Sequence, residues 1–431
     1  MVRLLTGILF FIAFPLFSVS QGLIEFLKSQ NEIKIVSPIN GNEFFQATYE
    51  IMVRQPLEHN DTTRGFFLQR VVVADKGVAN PVVVITEGYN ANYAARSSFI
   101  HELSPILEAN QICIEHRYFG KSVPSPLTWE YLTVQNAAGD QHRIIQLFRN
   151  YYQSKWISTG ISKGGQAAMS HRNLFPDDVE ATVAYVGPVN FAVEDGRHEP
   201  FIAQKAGVFK QRRAVLVFQQ EALRRKEALL PLFKKLSEEK EYTYRIPLEE
   251  VFDFCVLEYS FSFWQWGHPV EEIPATTATD NEIFNYLMKV ASPDYFSEEG
   301  IEPTRPFFVQ AAHELGYYGY DTRKFRKWLT IPNARNYLKK IFLPEGMAPV
   351  FNPESMAGLH QFIQETDAKM MFIYGENDPW TASGAIVPPK ENLIKAILPE
   401  GSHRTRINSF PEEQKSELIQ ILKKWVSPVK L

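Results

Sequence analysis

Six short apolar runs without polar alternation restrict this chain most. They are Pro81-Val82-Val83-Val84-Ile85-Thr86, Gln111-Ile112-Cys113-Ile114-Glu115, Trp156-Ile157-Ser158-Thr159, Thr182-Val183-Ala184-Tyr185-Val186, Lys369-Met370-Met371-Phe372-Ile373-Tyr374 and Ile394-Lys395-Ala396-Ile397-Leu398. Continuous runs of this length suit strands covered on both faces, as in a parallel sheet. Helix-patterned stretches at about 96–108, 129–152, 163–174 and 411–426 accompany them, and the alternation predicts an α/β fold. Upstream, residues 44–75 alternate and predict two or three antiparallel edge strands, with Asn60-Asp61 near the turn. From about 191 to 345 the rhythm changes to long, aromatic, helix-patterned sequence such as Gln219–Leu230. The expected organisation is a sheet domain in two parts, 21–190 and 346–431, with a helical cap at 191–345 inserted over the carboxyl ends of the strands.

Residues 1–20 stand apart: Arg3, the apolar run Leu4–Phe17, then Ser18-Val19-Ser20. This predicts a secretory signal cleaved near Ser20, and hence a secreted or periplasmic protein. The run is short for a bilayer span, which needs about 20 residues. An uncleaved anchor is the rival reading, and no other segment is apolar enough for stable membrane insertion. The 431 residues carry 45 Lys+Arg against 49 Asp+Glu, with no sustained basic run, which argues against nucleic acid as a partner. A hydrophobic content of 45% supports a large core. Cys113 and Cys255 allow at most one disulfide and read more simply as two thiols. No Cys/His spacing indicates a metal, and no cofactor is expected.

Gly160-Ile161-Ser162-Lys163-Gly164 fits G-x-S-x-G between the third run and a helix-patterned stretch. A serine at such a turn stands above the sheet at a helix N-terminus, where the helix dipole favours a developing oxyanion. Its partners are expected in the order Ser, Asp, His. Asp378 follows the fifth run in Tyr374-Gly375-Glu376-Asn377-Asp378-Pro379-Trp380. His403 follows the sixth in Pro399-Glu400-Gly401-Ser402-His403. Glu376 is the rival acid. The backbone N–H of Lys163 supplies one expected oxyanion donor. The second comes from Glu87-Gly88-Tyr89-Asn90 after the first run, Tyr89 being favoured over Gly88.

Glu115-His116-Arg117-Tyr118-Phe119-Gly120-Lys121-Ser122 resembles the E-H-R-Y-[YF]-G-x-S motif of the serine peptidases that include prolyl carboxypeptidase and dipeptidyl peptidase II. Glu87-Gly88 is similar to their N-E-G segment. Their G-G-S-Y-G-G context is replaced here by Ser162-Lys163-Gly164-Gly165, a form that resembles the secreted prolyl tri/tetrapeptidyl aminopeptidases. The resemblance spans most of the chain after residue 20. It implies an α/β-hydrolase fold with a helical cap and a Ser162–Asp378–His403 triad. The implied action is release of short peptides from free N-termini, often after proline.

Such a peptidase must hold an ammonium group. Glu314, in Gln310-Ala311-Ala312-His313-Glu314-Leu315-Gly316-Tyr317-Tyr318, is the first candidate and Glu87 the second. Phe261, Phe263, Trp264 and Trp266 are candidates for the walls of a proline pocket. Glu115 and Arg117 read as a structural ion pair under the site. Two other functions remain open: an esterase or lipase on the same scaffold, and an inactive hydrolase fold serving as a binding module.

Overall fold

The computed structural model describes residues 19–427, so the apolar run Leu4–Phe17 of the expected export signal lies outside the described residues. Among the described residues nine strands form one sheet: β1 (Ile33–Ile39), β2 (Ala47–Pro56), β3 (Phe66–Asp75), β4 (Val82–Thr86), β5 (Asn110–Ile114), β6 (Trp156–Ile161), β7 (Ala181–Tyr185), β8 (Lys369–Gly375) and β9 (Leu393–Leu398). Their order is β1-β2-β3-β5-β4-β6-β7-β8-β9. The first three strands and the β3–β5 pair are antiparallel, whereas every pairing from β5 through β9 is parallel. This topology is that of an α/β-hydrolase sheet. The six apolar runs are its six parallel strands, and Val82–Ile85 of β4 are at most 2% exposed because helices cover both faces.

The helix Val134–Arg149 starts where Thr133 accepts from the Asn136 N–H, a side-chain N-cap. Lys163–Leu174 packs on β6 and β7, and the C-terminal helix Glu412–Val426 buries Leu418, Leu422 and Trp425 on one stripe. The region 96–108 yields only the turn Leu103–Leu107. Pro105 has no N–H to continue a helix from residue 101, and its ring disfavours helix just before it. Three elements carried too weak a pattern to foresee: the helix Val19–Ser29, the edge strand β1 with its Pro38, and the helix Glu354–Glu365.

Between β7 and β8 the chain is helical, with Phe209–Arg224, Lys226–Glu239, Leu248–Trp266 and Asp280–Val290 among its longer elements. These helices share a core of buried aromatics, among them Phe218, Phe233, Phe252, Tyr259, Phe308 and Phe342, that extends down to Trp380 after β8. Cys113 and Cys255 are both buried and unpaired. No helix among the described residues is long and apolar enough to cross a membrane.

Candidate active site

Parallel strands deliver their following loops to one end of the sheet, and that is where Tyr89, Ser162, Asp378 and His403 lie. Ser162 has φ 58° and ψ −123°, a left-handed conformation forced by the reversal from β6 into the helix Lys163–Leu174. The reversal needs bare backbone. A Cβ on Gly160 would sit 2.1 Å from the Gly164 carbonyl oxygen, and one on Gly164 would sit 2.6 Å from that of Thr86. The glycines of the motif therefore let the helix start directly against β4 and β6.

Asp378 is fully buried, and its Oδ2 lies 2.7 Å from Nδ1 of His403. A carboxylate only accepts, so Nδ1 carries the proton and Nε2 is left as the basic nitrogen. Oδ1 accepts the Trp380 N–H at 3.1 Å, which fixes the carboxylate plane. Glu376, the rival acid, instead accepts the Glu400 N–H at 2.9 Å and braces the loop that carries His403. The His403 N–H donates to the Gln265 carbonyl at 2.9 Å, so the inserted helices hold the imidazole from above.

Ser162 opens on a pocket of about 80 Å³ lined in part by Tyr89, Gln265, Phe307, Tyr317 and Trp380. Gln265 and Trp380 also touch His403, the Trp380 ring lying 6.5 Å from the imidazole, so serine and histidine share neighbours. Ser162 Oγ and the imidazole are not hydrogen-bonded to each other in this structure. Among the described residues the backbone N–H groups of Lys163 and Tyr89 also lack a protein acceptor. Gly88, by contrast, does not line the Ser162 pocket, which Tyr89 borders.

The remaining predicted residues are placed less uniformly. Glu314 is 4% exposed and does not line the pocket. Its Oε1 accepts from the Val134 N–H at 2.6 Å and from Gln310 at 3.3 Å, while Oε2 accepts from Ser355 Oγ at 2.9 Å. Its oxygens are thus engaged in joining the inserted helices to the helix Val134–Arg149. Glu87 accepts from the Tyr93 hydroxyl, and burial pushes its carboxyl up to about 7.

The four aromatic candidates do not form one wall: on the helix Leu248–Trp266, Phe261 and Trp264 share a face and line a separate cavity, while Phe263 and Trp266 point elsewhere. Trp266 lies edge-on to His403 at 5.9 Å. Phe261 backs Trp380 at 5.3 Å and does not border the pocket. Trp264 lines that cavity, of about 250 Å³, and Phe263 is buried against it. The walls of the Ser162 pocket are instead Phe307, Tyr317 and Trp380. Trp380 could have been sought two residues after Asp378, but Phe307 carries no sequence signal of its own.

Glu115 and Arg117 do not pair with each other. Glu115 is enclosed by Arg70, the Ala91 and Lys121 N–H groups and Ser122, whereas Arg117 makes a bidentate pair with Asp140 at 2.7 and 2.8 Å. Residues two apart on a strand would share a face, but the chain leaves β5 at Ile114 and turns at Arg117, which sends the two charges to different partners.

A serine on a strained strand-to-helix turn, with acid and histidine loops following in chain order around a mainly parallel sheet, defines an α/β-hydrolase. The chain belongs to the PS-10 peptidase S37 family, whose profile matches residues 29–422, and it is a serine-type peptidase. It is 29% identical over 400 residues to a prolyl tri/tetrapeptidyl aminopeptidase of Streptomyces mobaraensis, covering 90% of this chain and 81% of that protein. A Caenorhabditis elegans prolyl carboxy peptidase like protein 5 is 30% identical over 123 residues, 25% of this chain and 24% of its own length. Among solved structures, a proline iminopeptidase of Mycobacterium smegmatis aligns with 87% of this chain and 98% of its own at 12% identity, with a TM-score of 0.40.

Proposed function

We propose that the protein is an exported exopeptidase that releases short peptides, preferentially after proline, from free N-termini through an acyl-enzyme at Ser162. The observation that carries this reading is the Asp378-braced imidazole of His403 in the loop beside a strained Ser162 that borders a small aromatic pocket. In this reading His403 Nε2 takes the Ser162 proton as Oγ attacks the scissile carbonyl. Asp378 stabilises the imidazolium, and the N–H groups of Lys163 and Tyr89 receive the oxyanion. The amine leaves with the proton returned by His403, and water then releases the peptide from the serine ester. Serine and histidine must close up for the first step; such hydrogen bonds are often long in free enzymes and tighten on substrate.

The pocket supports the proline preference: Phe307, Tyr317 and Trp380 offer flat apolar walls within about 80 Å³, which suits a five-membered ring better than a long side chain. No carboxylate lines it. That fits release of more than one residue, because three extended residues reach about 10 Å, which carries the substrate ammonium beyond the pocket. The inserted helices then act as the cap that roofs the site.

The test is mass spectrometry of products from a peptide library presented with free and with acetylated N-termini. Tri- or tetrapeptides ending in proline, formed only from the free series, are expected. Equal cleavage of both series, or single residues as products, would contradict the reading.

A further inference from the structure

Lys163 follows the serine and is 3% exposed, an unusual place for an amine. Among the described residues it has no ion-pair partner, and the hydrogen bond its Nζ makes is to the Gly88 carbonyl, at 2.8 Å. The rings of Phe119 and Tyr89 flank the amine at 5.3 and 5.8 Å. Burying an amine is costly, so this contact must return something.

Its return lies in the geometry of one peptide unit. The Gly88 carbonyl shares a plane with the Tyr89 N–H, and in a trans peptide the two point in opposite directions. Pinning the oxygen to Lys163 therefore fixes the N–H on the other edge, on a residue that borders the Ser162 pocket and whose N–H has no protein acceptor. Gly88 is packed directly on the start of the helix: a Cβ on it would sit 2.6 Å from the Lys163 Cβ and 2.7 Å from the Gly164 nitrogen. Lys163 itself supplies the other N–H, from the first position of its helix.

We propose that the Lys163 side chain is a positioning residue that sets the second oxyanion donor relative to the first. One residue thus provides one donor from its backbone and aligns the other through its side chain. A donor held on the Gly88 oxygen also polarises that amide, which strengthens the Tyr89 N–H as a donor. The inference rests on Ser162 being the nucleophile.

The test is Lys163→Met in the full-length enzyme, which keeps the stem and removes the donor. Three quantities are compared with wild type: kcat, KM, and the affinity of a peptide aldehyde. The aldehyde carbon accepts Ser162 Oγ, and the resulting hemiacetal oxygen occupies the oxyanion position.

Misaligning one donor should lower kcat about 10- to 100-fold, less than outright removal. KM should stay within about threefold, and aldehyde affinity should fall in step with kcat/KM. Unchanged kcat, or a loss confined to KM, would overturn the proposal. If Lys163→Met does not fold, Lys163→Leu is read in the same way. Ser162→Ala is run in parallel: activity surviving in it would sink the nucleophile assignment, whereas a dead Ser162→Ala beside a fully active Lys163→Met would sink only this inference.

Discussion

The sheet carries a histidine–aspartate pair at each end. At the carboxyl end, His403 Nδ1 meets Asp378 at 2.7 Å. At the amino end, Asp178 precedes β7 and takes His171 Nε2 at 2.9 Å and His142 Nδ1 at 2.8 Å. Distances and burial hardly differ: His171 is fully buried and Asp178 is 4% exposed, against 5% and 0% for His403 and Asp378. The surroundings differ. The amino-end pair stitches the helix Val134–Arg149 to the helix Lys163–Leu174 and has no serine at a turn above it. The carboxyl-end pair stands among loops, beside a pocket and a strained hydroxyl. A short imidazole–carboxylate bond is therefore a brace by default, and its position on the sheet decides whether it can do chemistry.

The largest expected effect is that of Ser162→Ala, which should lower kcat/KM by about 10³-fold or more while leaving the melting temperature nearly unchanged. Asp378→Asn should cost about 10³- to 10⁴-fold, because an amide no longer selects the Nδ1–H tautomer. Glu376→Gln should change the rate less than about threefold, since a neutral side chain can still accept the Glu400 N–H. A larger loss in Glu376→Gln than in Asp378→Asn would reverse the assignment of the acid. Asp178→Asn is the mirror experiment: it should cost about 2–4 kcal/mol of stability in urea melts, through the weakened bonds to His171, His142 and Gln146. The rate of the folded fraction should be preserved, and a catalytic defect there would break the distinction between the two ends.

The smallest effect is one of pH. Burial lowers the imidazoles of His198 to about 4 and His101 to about 3, and holds His171 below its ordinary range. An unfolded imidazole takes its proton near 6.5, so below that pH the unfolded chain binds protons that the folded one refuses. The contribution of His198 and of His101 to stability should therefore fall as pH drops from about 6.5 toward 4, by about 1 kcal/mol per pH unit each, while the buried carboxyls of Glu87 and Glu258, pushed up to about 7, work in the opposite sense. Urea midpoints at pH 7.5 and 4.5, compared between wild type and His198→Asn, check the sign: the variant should lose less stability on acidification, and an equal or greater loss would contradict it.

The parallel strands were legible in the sequence because burial on both faces writes itself as unbroken apolar runs. Ser162, Asp378 and His403 were found because each follows such a run, so their places depended only on the strand pattern. The residues that line the Ser162 pocket were not legible in the same way. Phe261, Phe263, Trp264 and Trp266 lie within six positions, yet helical rotation sends Phe261 and Trp264 to a second cavity behind the pocket wall, Phe263 to the protein interior and Trp266 to the imidazole. Phe307 and Tyr317 reach the pocket only through tertiary packing of the inserted helices, which local pattern does not encode. Glu314 looked like a lone carboxylate among aromatics, and nothing in its neighbourhood announced Val134 and Ser355, 180 and 41 residues away.

The two ends of the sheet can be told apart by one labelling experiment. A fluorophosphonate is incubated with wild type, His403→Ala and His171→Ala, each first shown to be folded, and the adduct is located by peptide mapping. Stoichiometric modification of Ser162 in wild type and in His171→Ala, with loss of labelling in His403→Ala, is the expected pattern. No label at Ser162, or labelling that depends on His171 and survives without His403, would contradict it.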